Sequence, residues 1–473
     1  MSPLYVDLDG SLLRGDSLHE ACIRLLLKPA RWIKALRALF RGKAAFKQAV
    51  MESVELSASS LPYRQDFIDW LKQQKANGRK LILATGADRE IANRISAHLN
   101  LFDDVLASDG QTNLTGTNKC TAIKAHAGSR PFAYAGNGAI DLLVWNECES
   151  AVLVGSGLKY REKIRPSVKI EQSFPDKVNH WSKIIKLMRP HQWAKNLLIF
   201  LPAAAAHQLT LLSVIKADFA LFIAFSFCAS GVYAANDLLD LPSDRQHSHK
   251  HKRPLASGDV SIPFGLFLAI ILPIIGLALS WYAIGWNAMA MIAAYWFITT
   301  YYSFIGKRIP LLDVFLLAGL YTFRAFAGAL PLSTGMSEWM AAFLLFLFFS
   351  LACLKRFSEL LTLPEVHNGK IAGRGYLRED YQLMGLLGIG AAFAATLVVC
   401  LYAASPAVGA LYSNPFYLMM MAPLVLFGLS RFWLQAWRGE LHTDPVVHAL
   451  KDKISYLLIA LCALTMLAAT YFH

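Results

Sequence analysis

Cysteine is scarce in this chain and shows no order. Cys22, Cys120, Cys148, Cys228, Cys353, Cys400 and Cys462 form no CxxC and no paired spacing, so neither a disulfide framework nor a zinc site is indicated. Several of them lie inside apolar segments and read as small core residues. Charge is thin and one-sided, with only 17% charged residues and 46 Lys and Arg against 33 Asp and Glu. The first residues, MSPLYVDLDG, lack the basic-then-apolar order of a signal peptide, so the N-terminal region is expected to stay in the cytoplasm. Alternating apolar and polar residues are missing from the most hydrophobic stretches, which disfavours a membrane barrel. No short repeat or low-complexity tract stands out.

What the chain has in excess is hydrophobicity. The hydrophobic fraction is 55% and the mean hydropathy +0.39, too high for an ordinary soluble enzyme. Its 473 residues leave room for two or three domains. Residues up to about Ser182 resemble a soluble protein, and from Ala194 onward apolar runs repeat to the end. These runs predict nine spans, roughly 193–211, 217–235, 262–282, 286–304, 311–331, 338–355, 384–404, 415–434 and 454–472, each about 20 residues and long enough to cross ~30 Å of hydrocarbon as a helix. The net charge of +13 sits largely in the loops between them, which points to membrane topology and anionic ligands rather than nucleic acid.

The loops predict an orientation. Alternate loops carry Arg245, Lys250, Lys252 and Arg253; Lys307 and Arg308; Lys355, Arg356, Lys370, Arg374 and Arg378; and Arg438, Lys451 and Lys453. The opposite loops carry little beyond Lys216. Positive loops stay inside, which puts the first set on the cytoplasmic side together with the N-terminal region. Residues 160–192 are polar, basic and proline-containing. They read as a linker becoming an amphipathic surface helix, with Trp181, Ile184, Ile185, Leu187 and Met188 beside Lys183 and Lys186; a solvent-facing connector is the other reading.

The N-terminal region holds an ordered set of motifs. LYVDLDGSLL is a short apolar strand ending in Asp7-Leu8-Asp9, and alternation puts both carboxylates on one side. Such a pair can hold a divalent cation while one attacks phosphorus and the other shuttles a proton. KLILATGADRE is a second strand ending near Thr85, GTNKCTAI places Lys119 just before a helical stretch, and FAYAGNGAIDLLVW ends near Asn137 with Asp141 beyond. Over roughly residues 1–155 this series resembles the haloacid-dehalogenase (HAD) phosphatase superfamily. The resemblance implies Asp7 as nucleophile, Asp9 as general acid/base, Thr85 and Lys119 as phosphate holders, and Asp7, Asp9 and Asp141 as Mg²⁺ ligands. The helix-patterned insertion, about 16–78, resembles a small helical cap. Gly136-Asn137 stands where the family's fourth motif often has Gly-Asp, which leaves a degenerate or regulatory domain as the alternative to an active phosphatase.

The second set lies in NDLLDLPSDRQHSHKHKRP. Asp237, Asp240 and Asp244 are spaced three and four apart, one helical face, with Asn236 beside them. Carboxylates so close at a membrane boundary repel one another unless a cation bridges them, and Mg²⁺ shared with a di- or triphosphate is the natural partner. The pattern NDxxDxxxD and the spans resemble the UbiA superfamily of intramembrane prenyltransferases, over roughly residues 185–473. The loop CLKRFSELLTLPEVHNGKIAGRGYLREDY lacks the second DxxxD of members that act on aromatic acceptors. RPHQWAKN, YSFIGKRIPLLD and LKRFSEL are similar to the branch that transfers 5-phosphoribose from PRPP to a polyprenyl phosphate. That branch implies Asn236, Asp237, Asp240 and Asp244 as the Mg-diphosphate site, with Asp237 and Asp240 catalytic. Lys195, Lys355 and Arg356 would pair with a lipid monophosphate, and Tyr302, Lys307 and Arg324 would contact substrate phosphates or ribose. Arg324 also stands out alone, because a charge inside an apolar run is costly unless it faces the bundle interior.

The expected architecture is multidomain. Residues 1–158 form an α/β HAD-like domain of Rossmann type, 159–188 a linker and surface helix, and 189–473 an all-α polytopic membrane domain of nine transmembrane helices. The expected partners are PRPP, polyprenyl phosphate and a bacterial inner membrane; a homo-oligomer remains open. Two other readings stand beside it: a prenyltransferase taking a prenyl diphosphate to a small or aromatic acceptor, and a transporter or scaffold with a sensing domain.

Overall fold

A computed structural model describes residues 1–26, 28–176, 180–362, 374–410, 412–441, 444–449 and 451–472; Lys370 lies outside the described residues. Met1–Met188 with Tyr233–Ala269 form one compact unit, and Arg189–Val232 with Ile270–His473 form another.

The first unit is built on six parallel strands in the order β3-β2-β1-β4-β5-β6. They are β1 (Leu4–Val6), β2 (Leu81–Asp88), β3 (Asp104–Ser108), β4 (Ala133–Gly136), β5 (Ser150–Val154) and β6 (Lys169–Phe174). Leu4, Tyr5 and Val6 are fully buried. Leu4 and Val6 join one apolar cluster and Tyr5 the cluster on the opposite face, the signature of a sheet covered on both sides. The order reverses between β1 and β4, so a crevice opens outside the carboxyl ends of those strands. Asp7 follows β1 there, and Gly136 ends β4.

Between β1 and β2 run α1 (Ser17–Leu26), α2 (Pro29–Leu39), α3 (Lys43–Ser53) and α4 (Gln65–Ala76). Phe67, Ile68 and Leu71 of α4 are buried among sheet residues, so this helix belongs to the sheet layer and the first three form the insertion proper. Then follow α5 (Arg89–Leu99), α6 (Thr117–Ala127), α7 (Leu142–Trp145) and α8 (His180–Met188). The stretch read as a linker therefore supplies an edge strand, β6. Four of the six residues of KIEQSF are polar, with Lys169 and Gln172 exposed and Phe174 buried, and that polarity disguised it. The amphipathic helix of this stretch is α8, with Trp181 and Ile185 exposed and Leu187 buried.

Pro190–Phe200 winds as tight 3-10 turns and leads to α9 (Leu201–Ala205), α10 (Leu212–Leu239), α11 (Leu241–Gln246), α12 (Ile262–Ile284), α13 (Trp286–Phe304), α14 (Leu312–Gly328), α15 (Glu338–Leu361), α16 (Tyr381–Ala403), α17 (Phe416–Met419), α18 (Met421–Trp437), α19 (Pro445–Ala449) and α20 (Lys453–Tyr471). Among the described residues seven helices are long and apolar enough to cross a membrane: Leu212–Leu239, Ile262–Ile284, Trp286–Arg308, Glu338–Leu361, Arg378–Ala403, Phe416–Trp437 and Lys453–Tyr471. Where the sequence also predicts spans at 193–211 and 311–331, the chain forms the 3-10 run with α9, and α14 of 17 residues. These two pieces pack backbone to backbone: a Cβ on Gly328 would lie 1.7 Å from the Ile199 carbonyl oxygen, so only glycine fits.

Candidate functional site

In the first unit the crevice at the β1/β4 reversal gathers the N-terminal motif residues. Lys119, near the start of α6, extends its Nζ to Asp7 Oδ1 at 2.6 Å and lies 3.9 Å from Asp141 Oδ1. Tyr134 accepts from Lys119 Nζ at 3.1 Å and donates to Asp141 Oδ1 at 2.7 Å. Asp141 Oδ2 accepts the backbone N–H groups of Asn137 and Gly138, both at 2.9 Å. Asp9 accepts from the Ser17 amide at 2.7 Å and the Ser17 hydroxyl at 3.2 Å. The Thr85 hydroxyl accepts the Ala87 amide at 3.0 Å. Asn137 sits over Gly10, where a Cβ would lie 2.0 Å from the Asn137 Nδ2, and accepts from Ser11 Oγ at 3.3 Å.

Burial governs the ionisation here. It pushes Asp7 up to about 6 despite the Lys119 ammonium beside it. Burial, together with the Asp16 charge, pushes Asp9 up to about 7. For Lys119 burial opposes the charge, but Asp7 and Asp141 outweigh it and raise its pKa. A strand-end carboxylate facing a fixed ammonium, with a second carboxyl poised for protonation, can run nucleophilic attack with general acid help. Sequence reasoning missed Tyr134 and Lys47. Lys47 reaches from α3 to the Gly86 carbonyl at 2.7 Å and to Asn113 at 2.9 Å, and nothing in its sequence context signals this, because only the chain reversal brings α3 over β2.

The aspartate-rich motif also lies in the first unit. Asp237 closes α10, Asp240 caps α11 and Asp244 lies within α11. Arg253 answers the question of what separates their charges: its guanidinium is 3.0 Å from Asp237 Oδ1 and 2.6 Å from Asp244 Oδ2. Both carboxylates are almost fully buried, whereas Arg253 keeps 28% of its side chain exposed. Asp240 has no side-chain partner among the described residues. Asn236 flanks the group at intermediate burial. Arg245, which follows Asp244, is fixed differently: it donates to Glu20 on α1 at 2.5 and 3.0 Å, and to the Ser60 and Ala256 carbonyls. Among the described residues no group of three or more His, Cys, Asp or Glu is arranged as a finished metal site. The donor set nevertheless fits a divalent cation, because two buried carboxylates already converge on one positive group and a third is close in sequence.

The second unit brings Lys195, Lys355 and Arg324 into one polar neighbourhood and leaves Arg356, Tyr302 and Lys307 out of it. Lys195 and Lys355 both donate to Asp444 Oδ2, at 3.3 and 2.9 Å. Burial opposes it, yet Lys355 and Lys195 hold the Asp444 carboxyl well below the usual carboxylate range. The Lys195 ammonium lies 5.6 Å from the Tyr321 ring centroid, and the Arg324 guanidinium 5.5 Å from the same ring. Arg324 is buried, bonded to Asn196 Oδ1 and the Tyr295 hydroxyl, both at 2.8 Å, and to the Leu320 carbonyl. Arg356 is instead completely buried against Asp313 at 2.8 Å and pairs with Glu359. Tyr302 donates to Asp313 at 2.9 Å, and Arg374 lies 3.5 Å from it. This second network has two arginines and two acids, so its charges balance. Asp313 and Asp444 were missed; the criterion that singles out Arg324 inside an apolar run also applies to Asp313, while Asp444 has no comparable signal. Lys307 has no ion-pair partner among the described residues.

A cavity of about 400 Å³ opens elsewhere in the second unit, lined by Leu201, Met340, Phe343, Tyr402, Met421 and Met466 among others. Phe343 and Lys355 lie twelve residues apart on α15, about 18 Å along its axis.

The chain is similar to several known proteins. A decaprenyl-phosphate phosphoribosyltransferase of Mycolicibacterium smegmatis is 30% identical over 308 residues, covering 62% of this chain and 93% of that one. An uncharacterized protein of Sinorhizobium fredii, y4nM, is 35% identical over 472 residues, 98% of this chain and 90% of that one. The solved structure of a UbiA homolog from Archaeoglobus fulgidus bound to GPP and Mg²⁺ overlaps 60% of this chain and 99% of its own, with 18% identity and a TM-score of 0.46. The profile of the UbiA prenyltransferase family matches residues 196–451, more than half of the chain, and the chain belongs to that family.

Proposed function

We propose that the chain is a bifunctional membrane enzyme. Its UbiA domain transfers 5-phosphoribose from PRPP to a polyprenyl phosphate. Its N-terminal domain, a HAD-type phosphatase, then removes the 5-phosphate to leave polyprenyl-phosphoryl-ribose for cell-envelope glycan synthesis. The domains run over 1–158 and 189–473, and both reactions take place at the cytoplasmic face of a bacterial inner membrane, the side to which the basic loops belong.

The observation that carries this reading is the contrast between two charged clusters, one built on carboxylates and one on cations. Asp237 and Asp244 converge on Arg253, with Asp240 close in sequence, a carboxylate set that suits a divalent cation and, through it, the diphosphate of PRPP. Among the described residues Lys195 and Lys355 share Asp444, and Arg324 lies beside the same Tyr321 ring as Lys195, a basic set that suits a monophosphate without a second metal. The name of the mycobacterial relative favours the same pair of substrates. The 400 Å³ apolar cavity toward the other end of α15 suits the tail of a lipid whose phosphate sits at Lys355.

Mg²⁺ held by Asp237, Asp240 and Asp244 supplies charge neutralisation to the diphosphate when bound. In the transfer step the anomeric C–O bond breaks and its electron pair leaves with diphosphate. A new bond forms from the lipid phosphate oxygen to the anomeric carbon. Lys195 and Lys355 hold that acceptor, and no general base is needed, because the phosphate is already anionic. In the second step Asp7 attacks phosphorus and the ribose oxygen departs with a proton from Asp9. Water then releases inorganic phosphate from Asp7, and the proton of the attacking water returns to Asp9. Lys119 neutralises the phosphoryl oxygens throughout, with Thr85 and Asp141 holding phosphate and metal.

The test is incubation of the purified protein, in lipid nanodiscs with Mg²⁺, with ribose-labelled PRPP and polyprenyl phosphate. Label in the lipid extract is expected. No label from PRPP, with turnover when a prenyl diphosphate and an aromatic acceptor replace it, overturns the reading in favour of prenyl transfer.

A further inference from the structure

Helix α2 faces the wrong way for a globular domain. Its inward seam is Trp32, Ala35 and Ala38, which pack on or beside the sheet core. Ile33, Leu36 and Phe40, spaced three and four apart, form an outward stripe, 58%, 48% and 92% exposed. Leu26 and Leu39 extend the exposed apolar surface on either side of it. An apolar stripe at helical spacing normally marks the buried face.

The charge around the stripe has one sign. Lys28, Arg31, Lys34, Arg37, Arg41 and Lys43 crowd the segment, and no acidic residue occurs between Glu20 and Glu52. Lys34 pairs with Glu52 and Arg31 donates to the Ser53 carbonyl. Lys28, Arg37, Arg41 and Lys43 have no ion-pair partner among the described residues. Apolar residues on one face with unpaired cations beside them are the composition of a helix that lies in a headgroup layer.

The rest of the unit keeps α2 near such a layer. Glu20 of α1 is locked to Arg245 in a pair that is nearly fully buried. Arg245 follows the end of the spanning helix α10 at Leu239 by six residues, roughly 10 Å of helical path. From Glu20, α1 runs only to Leu26 before α2 begins at Pro29, about 10 Å more. The insertion is therefore tied to the membrane boundary at its first helix.

We propose that α2 is an interfacial anchor for anionic lipid. Ile33, Leu36 and Phe40 enter the headgroup layer, and Lys28, Arg37, Arg41 and Lys43 meet the lipid phosphates. The anchor holds α3, and with it Lys47, in a fixed relation to the bilayer, which suits a phosphatase whose substrate is attached to lipid. It rests on the surface of α2 and on the tie of α1 to Arg245, not on the substrate, and survives if PRPP proves to be the wrong one.

The test uses the full chain in nanodiscs of phosphatidylcholine alone or with phosphatidylglycerol, some with brominated acyl chains. An environment-sensitive dye is placed on Phe40→Cys, and for comparison on Gln73→Cys of α4, with labelling of the parent protein subtracted. In anionic discs the dye at position 40 should be quenched by bromolipid at least about twofold more than the dye at 73. The quenching should weaken with salt and be lost in the double variant Arg37→Glu/Arg41→Glu, whose melting temperature should match the parent. Equal quenching in neutral discs, or no quenching in either, overturns the proposal. So does a dye shielded from water yet untouched by bromolipid, which marks a protein partner or second copy on this face.

Discussion

The first unit contains two acidic clusters that solve the same electrostatic problem with different cations. At the strand end, Asp7 faces Lys119, a side chain about as buried as its partner and fixed further by Tyr134. At the helix end, Asp237 and Asp244 share Arg253, which remains 28% exposed on a loop. A buried ammonium is part of its site, because removing it strands a carboxylate in a low-dielectric pocket. A partly solvated guanidinium can swing away and be replaced. The difference suggests a resident cation in the first case and an exchangeable one in the second.

Several substitutions sharpen or break that comparison. The largest effect is expected for Asp7→Asn, which removes the proposed nucleophile. Dephosphorylation should drop by at least roughly 1,000-fold, so that the 5-phosphorylated lipid accumulates while transfer continues; chromatography of the lipid extract reads the ratio. An unchanged ratio means that the N-terminal domain does not process this product.

Next comes the metal-side pair. Asp237→Asn should reduce transfer about 100-fold. Arg253→Ala should act in the opposite sense on metal demand, lowering the Mg²⁺ concentration for half-maximal transfer by about threefold or more. If Arg253→Ala abolishes transfer at every Mg²⁺ concentration, this arginine is as fixed as Lys119 and the contrast fails.

Smaller again is Lys355→Ala. One charge-assisted contact is lost while Lys195 and Arg324 remain, so KM for the lipid phosphate should rise about tenfold with kcat changed less. A fall in kcat alone would place the lysine with the reacting atoms.

The smallest effect concerns acid stability. The Arg431 guanidinium bonded to Asp452 holds its carboxyl down to about 2. A carboxyl depressed on folding contributes stability above its unfolded value of about 4, and that contribution fades as pH falls from about 4 to about 2. Asp452→Asn should therefore lower the melting temperature modestly at pH 6 and flatten its decline below pH 4. Both groups are partly exposed, so the effect stays small.

The residues differ in how far they can be read from the chain alone. Asp7, Asp9 and Thr85 lie at or just past the ends of short apolar runs, Lys119 near a helix start and Asp141 in the turn after β4, and a parallel sheet with a reversal of strand order brings such places together. Arg324 is legible because hydrocarbon tolerates a charge only on an inward face, and it is indeed buried against Asn196, Tyr295 and Tyr321. Arg253 and Asp444 are not legible, since a loop arginine among many and an isolated aspartate carry no periodicity. Arg356 looks like the neighbour of Lys355 in sequence, yet consecutive residues on a helix point about 100° apart. One reaches Asp444 and the other Asp313.

The sequence by itself determined the division between a soluble-type α/β region and an apolar helical region, since hydropathy and period depend only on residue order. It also determined which carboxylates and cations lie at element ends. Only the tertiary structure decided which charges meet, because ion pairs such as Lys119 with Asp7, Arg245 with Glu20 and Lys195 with Asp444 join residues 112, 225 and 249 positions apart. No local pattern encodes such separations; they are set by packing, which places each cation where burying an acid alone costs most.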